Sequence, residues 1–273
     1  MARLWWIAAL LTVLLAPAMA NAAERPPASQ CLAMAQTLPQ VIYASIRTAA
    51  RADDVTIRYA GHSTYVIETP DGVRIATDYT GTYDTGGLPD VVTMNRAHST
   101  HYSLHPDPRI KYVLHGWGEN GEAAKHALTV RDVFIRNVPT DIRRSLYEDG
   151  ANVAMIPNGN SIFIFEVAGL CIGHLGHLHH PLDDSHIAAI GRLDIVMVPI
   201  DGTYTMSLDG MSEIVRRLRA SIVLPMHRFG TPLSDLLARL RGQFAIDRRT
   251  DPSFTISLGM LPKTPTVIVL SGV

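Results

Sequence analysis

Val91-Val92-Thr93-Met94-Asn95-Arg96-Ala97-His98-Ser99-Thr100-His101 is a short apolar run that passes directly into a polar loop carrying two histidines. Valine and threonine suit the pleated surface of a buried strand, and the polar residues after Met94 suit the loop that ends it. The pattern recurs twice. Leu170-Cys171-Ile172-Gly173 runs into His174-Leu175-Gly176-His177-Leu178-His179-His180, and Ile222-Val223-Leu224-Pro225 runs into Met226-His227. Loops at the ends of buried strands are where a rigid sheet presents side chains to one point. A lone histidine on an apolar strand is commonly a satisfied core residue. Five at three strand ends predict a metal site instead, with His98, His101, His174, His177 and His227 as ligands, because a neutral imidazole nitrogen suits zinc and its neighbours.

Outward from these junctions the chain alternates strand and turn. Thr64 to Glu68 and Val73 to Asp78 flank Pro70-Asp71-Gly72, and Val153 to Ile156 and Ile162 to Val167 flank Asn158-Gly159, both read as hairpins. Further strands are expected at Ile110 to Leu114, Ala127 to Val138 (as one run), Ile195 to Pro199 and Val267 to Leu270. Met211, Ile214, Val215 and Leu218 form one helical stripe. Leu233, Leu236, Leu237 and Leu240 form another, opened by Thr231 as N-cap with Pro232 in the first turn and stopped at Gly242. Sheets packed face to face and covered by helices suit this order.

The first residues have a different character. Arg3, an apolar run from Leu4 to Ala16 and the overlapping Ala18-Met19-Ala20 and Ala20-Asn21-Ala22 sites form a secretory signal over 1–22. The run is shorter than the about 20 residues that a transmembrane helix needs, so no stable membrane insertion is expected after cleavage. Residues 24–50 read as a helical extension, with Cys31, Met34, Ala35, Leu38, Ile42 and Ile46 near a 3.6 period. A net charge of −1 across 273 residues, with no basic stripe, disfavours nucleic acid as a partner and leaves a small-molecule substrate. Export would permit a disulfide between the two cysteines, Cys31 and Cys171, but the favoured expectation is that both are free and buried, each serving as a small hydrophobe.

The segments Gly61-His62-Ser63-Thr64-Tyr65-Val66-Ile67-Glu68, Ile75-Ala76-Thr77-Asp78, Leu88-Pro89-Asp90-Val91-Val92, His174-Leu175-Gly176, Pro199-Ile200-Asp201-Gly202-Thr203-Tyr204-Thr205-Met206 and Pro225-Met226-His227 together resemble the metallo-β-lactamase superfamily, in particular its lactonase-like branch of metal-dependent hydrolases. The resemblance spans approximately residues 54 to 230. It implies an α+β fold, the four-layer αββα sandwich, over 54–273, with the metal site at one edge between the sheets.

The family's His-x-His-x-Asp-His loop is altered. Arg96 stands at its first His and Thr100 at its Asp, while His177 stands where a bridging Asp is usual. A neutral imidazole nitrogen cannot bridge two cations as a carboxylate does, and Arg96 adds positive charge. A single divalent metal is therefore expected, zinc first, with iron or manganese as alternatives. The resemblance makes Asp78 the group that accepts a ligand ring N–H. It places His62, Thr100 and His180 in the lining.

The function implied is water-based hydrolysis of a small ester, lactone, amide or phosphoester in the periplasm or outside the cell. Arg96 and Tyr204 are candidate donors to the developing oxyanion. The alternatives are a non-catalytic metal- or ligand-binding protein on the same fold, and a metal-free fold in which Arg96 replaces a cation.

Overall fold

The computed structural model describes residues 28–32, 53–145 and 154–273. The expected signal over 1–22 and all but 28–32 of the expected extension lie outside these residues. Among the described residues fourteen strands form two mixed sheets.

The first sheet contains β1 (Val55–Gly61), β2 (Thr64–Glu68), β3 (Arg74–Ala76), β4 (Val91–Met94) and β5 (Tyr112–His115) in sequence order, with β13 (Ser253–Ile256) beside β1. In β1 the inward side chains fall on alternate residues, Val55, Ile57 and Tyr59, as the two-residue period of a strand requires. β2 and β3 are antiparallel across Asp71-Gly72, while β3, β4 and β5 are parallel.

The second sheet is built from β6 (Ala127–Val130), β7 (Val133–Arg143), β8 (Met155–Val167), β9 (Leu170–His174), β10 (Ile195–Pro199), β11 (Ile222–Met226), β12 (Ala245–Arg248) and β14 (Thr266–Val269). Its order is β12-β14-β11-β10-β9-β8-β7-β6, and β9, β10 and β11 are parallel. These three strands are buried along their whole length, which is why they read as continuous apolar runs rather than alternating ones.

One core lies between the sheets, with Ile57, Tyr65 and Ile75 of the first facing Phe163, Phe165 and Ile172 of the second. The other outer core joins the second sheet to three helices, α1 (Asp184–Ile190), α2 (Leu208–Leu218) and α3 (Leu233–Leu240). Both helical stripes, Met211 to Leu218 and Leu233 to Leu240, face this core. The outer face of the first sheet carries only a small cluster of Ala76, Val92, Met94 and Ile110, with Tyr79, Tyr102, Val113 and Trp117 packed on it. Among the described residues the sandwich therefore has its helical layer on one side. No helix among them is long and apolar enough to cross a membrane.

Four local expectations are corrected. Asn158-Gly159 is not a hairpin turn: β8 runs through it as one strand, and the register against β7 shifts between Thr140 and Ile142, with Asn158 at φ 55°. Pro157, Asn158 and Gly159 stand opposite Asp141 alone, so two extra residues of β8 are absorbed as an irregularity in the ladder. Ala127 to Val138 is not one strand, because Arg131 (φ 50°) and Asp132 turn the chain between β6 and β7. Pro232, not Thr231, is the N-cap of α3; the Thr231 hydroxyl donates instead to the Asp201 carbonyl, 2.5 Å away.

The fourth concerns the cysteines, which form a disulfide between Cys31 and Cys171. Glu166 pairs with Cys171 across β8 and β9, so both side chains point to the same face. Glu166 accepts from Ser29 Oγ at 2.5 Å, from the Gln30 amide at 2.8 Å and from Arg136 Nε at 2.7 Å. That clamp docks residues 29–31 over the sheet and brings Cys31 onto Cys171, a long-range contact that spacing does not reveal.

Candidate metal centre

Parallel neighbours in each sheet direct their C-terminal ends to one edge. β3 delivers Asp78, β4 delivers the 95–101 loop, β9 delivers His174 and the loop beyond, β10 delivers Asp201 and β11 delivers His227. Three of the residues there hold left-handed backbone: His62 at φ 52°, Asp78 at φ 41° and His227 at φ 50°. Such conformations persist where surrounding structure enforces them. Here the His227 amide donates to the His62 carbonyl at 2.8 Å, tying the turn between β1 and β2 to the end of β11.

His62, His98, His101 and His227 each place a ring nitrogen within 4.8 Å of the others. His101 Nδ1 faces Asp78 Oδ2 at 2.5 Å, and His227 Nδ1 faces Asp201 Oδ1 at 3.0 Å. A carboxylate on Nδ1 fixes the ring as the Nδ1–H form and leaves the Nε2 lone pair directed away from it. His101 Nε2 is buried and has no hydrogen-bond partner. His227 Nε2 lies 3.4 Å from His98 Nε2. Four nitrogens around a tetrahedral ion at about 2.0–2.1 Å lie about 3.4 Å from one another. A buried, unpartnered lone pair beside further imidazole nitrogens fits a divalent cation in donor type and in spacing.

The surroundings favour the neutral form of His62, His98 and His101, as ligands must be neutral. Burial, reinforced by the neighbouring imidazoles, takes His62 down to about 3 and His98 down to about 4. Burial holds His101 and His177 well below the usual histidine range. For Asp201 burial acts upward, but the ring N–H of His227 and the Thr205 donors outweigh it and keep the carboxyl below the ordinary range. Asp201 accepts from the amides of Thr203, Tyr204 and Thr205 as well as from His227, so it is an anion held by a loop of donors. Asp78 is pushed up to about 6 by burial, against the lowering effects of His174 and of the Asn95 side chain, and it remains an acceptor at neutral pH.

Of the residues singled out from the sequence, His98, His101 and His227 converge, and His62, read there as lining, joins them. Thr100 Oγ1 lies 2.7 Å from His98 Nδ1 and 2.8 Å from His62 Nε2, linking the two rings. Tyr204 lines a cavity of about 180 Å³ that opens onto His62, His98, Thr100 and His227. His177 Nε2 lies 3.1 Å from His98 Nε2.

Three expectations are corrected by position. His174 is buried, but its Nε2 donates to the Ser63 carbonyl at 2.9 Å and its Nδ1 accepts from the Gly176 amide at 3.1 Å, so both its nitrogens are engaged by backbone outside the histidine cluster. His180 accepts from the Asp141 amide and donates to the Pro181 carbonyl, so it ties loops together outside the cluster. Arg96 is exposed and lines a separate cavity of about 820 Å³ with Tyr102, His115, Trp117 and Lys125. The larger cavity is thus not the one at the histidines; the ring nitrogens converge at the smaller.

Asp201 and Asn95 are not among the site residues read from the sequence, and His179 stands there only as part of the second histidine run. Asp201 follows an apolar strand as Asp78 does, and that shared position was the available signal. Asn95 donates to Asp78 Oδ1 at 2.9 Å and accepts from the Ser161 amide at 2.7 Å. Gly176 passes between Asn95 and Asn160 at φ 60°, where a Cβ would lie 2.3 Å from a polar atom of each. Only glycine fits there, and it lets the chain turn between His174 and His177.

The fold agrees with that of known proteins. Residues 56–227 match the family model of the Beta-lactamase superfamily domain, and the chain belongs to that superfamily. It is similar to proteins named UPF0173 metal-dependent hydrolase. That of Thermoplasma acidophilum is 38% identical over 69 residues, which are 25% of this chain and 31% of the relative. That of Methanocorpusculum labreanum is 24% identical over 191 residues, 63% of this chain and 82% of the relative. Among solved structures, a Thermotoga maritima protein described as a Zn-dependent hydrolase of the metallo-beta-lactamase superfamily has a TM-score of 0.56 and 26% identity, with 79% of this chain and 98% of that one covered.

Proposed function

We propose that this chain is an exported metal-dependent hydrolase that binds a single divalent metal through His98, His101 and His227, with His62 beside them and the fourth position open, and acts on a small ester, lactone, amide or phosphoester. The observation that carries the reading is the buried, unpartnered Nε2 of His101 beside the Nε2 atoms of His98 and His227. The names of the relatives support it. Bound there, a divalent metal supplies Lewis acidity and lowers the pKa of a water into the neutral range.

The chain's own residues set the conditions for that chemistry. Asp78 and Asp201 orient His101 and His227 and raise their basicity. Thr100 fixes the rings of His98 and His62. Tyr204 and Phe229, their rings 4.8 Å apart, wall the cavity, and the Tyr204 hydroxyl is the candidate donor to an oxyanion. The buried disulfide supports the export reading, since such bonds persist in oxidising compartments. Zinc is the first choice of metal, because four imidazoles are a zinc-compatible set.

A second reading is favoured by one observation. Four histidine nitrogens fill a tetrahedral shell, and a filled shell marks a structural or binding site rather than a catalytic one. Turnover separates the two. Protein reconstituted with zinc, iron or manganese is assayed on esters, lactones, β-lactams, amides and phosphodiesters. Hydrolysis that is lost on chelation and restored by metal supports the enzyme. Stoichiometric metal with no turnover of any class supports the binding protein.

A further inference from the structure

The hydrogen bonds around His177 have only one consistent direction. The Arg143 amide and Arg143 Nε both donate to His179 Nδ1, at 3.0 and 3.1 Å. A nitrogen that accepts twice carries no proton, so the proton of neutral His179 sits on Nε2. That N–H points to His177 Nδ1, with which it is hydrogen-bonded. His177 Nδ1 is then the acceptor, and the proton of neutral His177 sits on its own Nε2. This nitrogen faces His98 Nε2 at 3.1 Å.

We infer that Arg143 and His179 lock His177 as a fixed N–H donor at the metal site, and that His177 is not a ligand. The inference rests on the metal reading given above for His98, His101 and His227. It goes further by removing from the ligand set the imidazole whose ring is in edge contact with His98, His101 and His227. A ligand needs a lone pair, and the one on His177 is turned toward His179.

The position is held from two further sides. The His177 amide donates to Asn160 Oδ1 at 2.7 Å, which fixes the backbone. Arg143 Nη2 donates to the Thr203, Tyr204 and Thr205 carbonyls, so the guanidinium that orients His179 also grips the loop whose amides surround Asp201. Arg143 and His179 are positioning residues. The N–H they aim is donated to the His98 Nε2 lone pair and therefore competes with the metal for it.

Long-range ¹H–¹⁵N correlation spectra of the ¹⁵N-labelled full chain, with and without zinc, test this together with zinc titrations against a competing chelator. His177 is expected to show a protonated, pyrrole-type Nε2 and a pyridine-type Nδ1 in both states. His179→Phe, which removes the donor but keeps a ring, is expected to shift the His177 signals toward the opposite tautomer. A purely structural role for His179 would leave that pattern unmoved. His177→Gln keeps an acceptor for His179 and an N–H for His98. It is expected to retain zinc within about threefold, while His101→Gln weakens zinc by at least about tenfold. A pyridine-type His177 Nε2, or loss of zinc in His177→Gln as large as in His101→Gln, would overturn the inference. Absence of zinc binding by the wild-type chain would overturn the metal reading alone, and the apo spectrum would still decide the tautomer.

Discussion

His101 Nδ1 and Asp78 Oδ2 lie 2.5 Å apart with both side chains fully buried, and the opposite nitrogen of the same ring has no partner. The carboxylate thus spends its interaction on one end of the imidazole in order to present the other. Asp78→Asn preserves size and suits the left-handed backbone at φ 41°. Metal affinity is expected to fall about 10–100-fold, read by chelator competition, and Asp201→Asn is expected to do the same through His227. Unchanged affinity in both would show that the two carboxylates do not orient ligands.

Acid should unfold the metal-stripped chain in a defined window. His62 and His98 titrate at about 3 and about 4 in the folded state, against about 6.5 when unfolded. Between these values the unfolded chain binds more protons. Their contribution is therefore complete above pH about 6.5 and lost progressively as the pH falls through the folded values. Asp78, raised to about 6, acts in the opposite sense, but it is one group against several histidines. The midpoint temperature should fall steadily from pH 7 to pH 4, and bound zinc should be released over the same range. A flat profile would contradict the depressed titration of His62 and His98.

The disulfide closes a sequence separation of 140 residues. Replacing both cysteines with alanine is expected to cost about 2–5 kcal/mol, measured by denaturant unfolding, with the metal site retained. Thiol counting on unfolded, unreduced chain should find none free among Cys31 and Cys171.

Tyr204 and Arg96, both read from the sequence as donors, should separate in function. Tyr204→Phe is expected to lower turnover of responsive substrates by about tenfold or more without changing zinc stoichiometry. Arg96→Ala, whose guanidinium lines the other cavity, should leave zinc affinity and turnover within about twofold of wild type. The reverse ranking would place the substrate in the larger cavity.

How much of this was legible follows from locality. The strands Val91 to Met94 and Ile195 to Pro199 were readable residue for residue, because buried parallel strands are continuous apolar runs bounded by turns. The helix stripes were readable for the same reason. The edge on which His98, His101 and His227 meet followed from their strand-end positions. What was not legible depends on which way a ring nitrogen points. His174 shares its strand-end placement with the cluster members, yet the Ser63 carbonyl and the Gly176 amide take both its nitrogens. His62 sits in a turn between β1 and β2 and enters the cluster through its left-handed backbone, which no periodicity announces. Cys31 reaches Cys171 only because Glu166 docks the segment before it.

The central claim is that these histidines hold one divalent metal. Metal analysis of protein purified without a histidine tag, stripped and then offered zinc, iron or manganese in turn, tests it most directly. About one equivalent of one of these metals, reduced by His101→Gln, is the expected result. Less than about a tenth of an equivalent of every metal offered would contradict it.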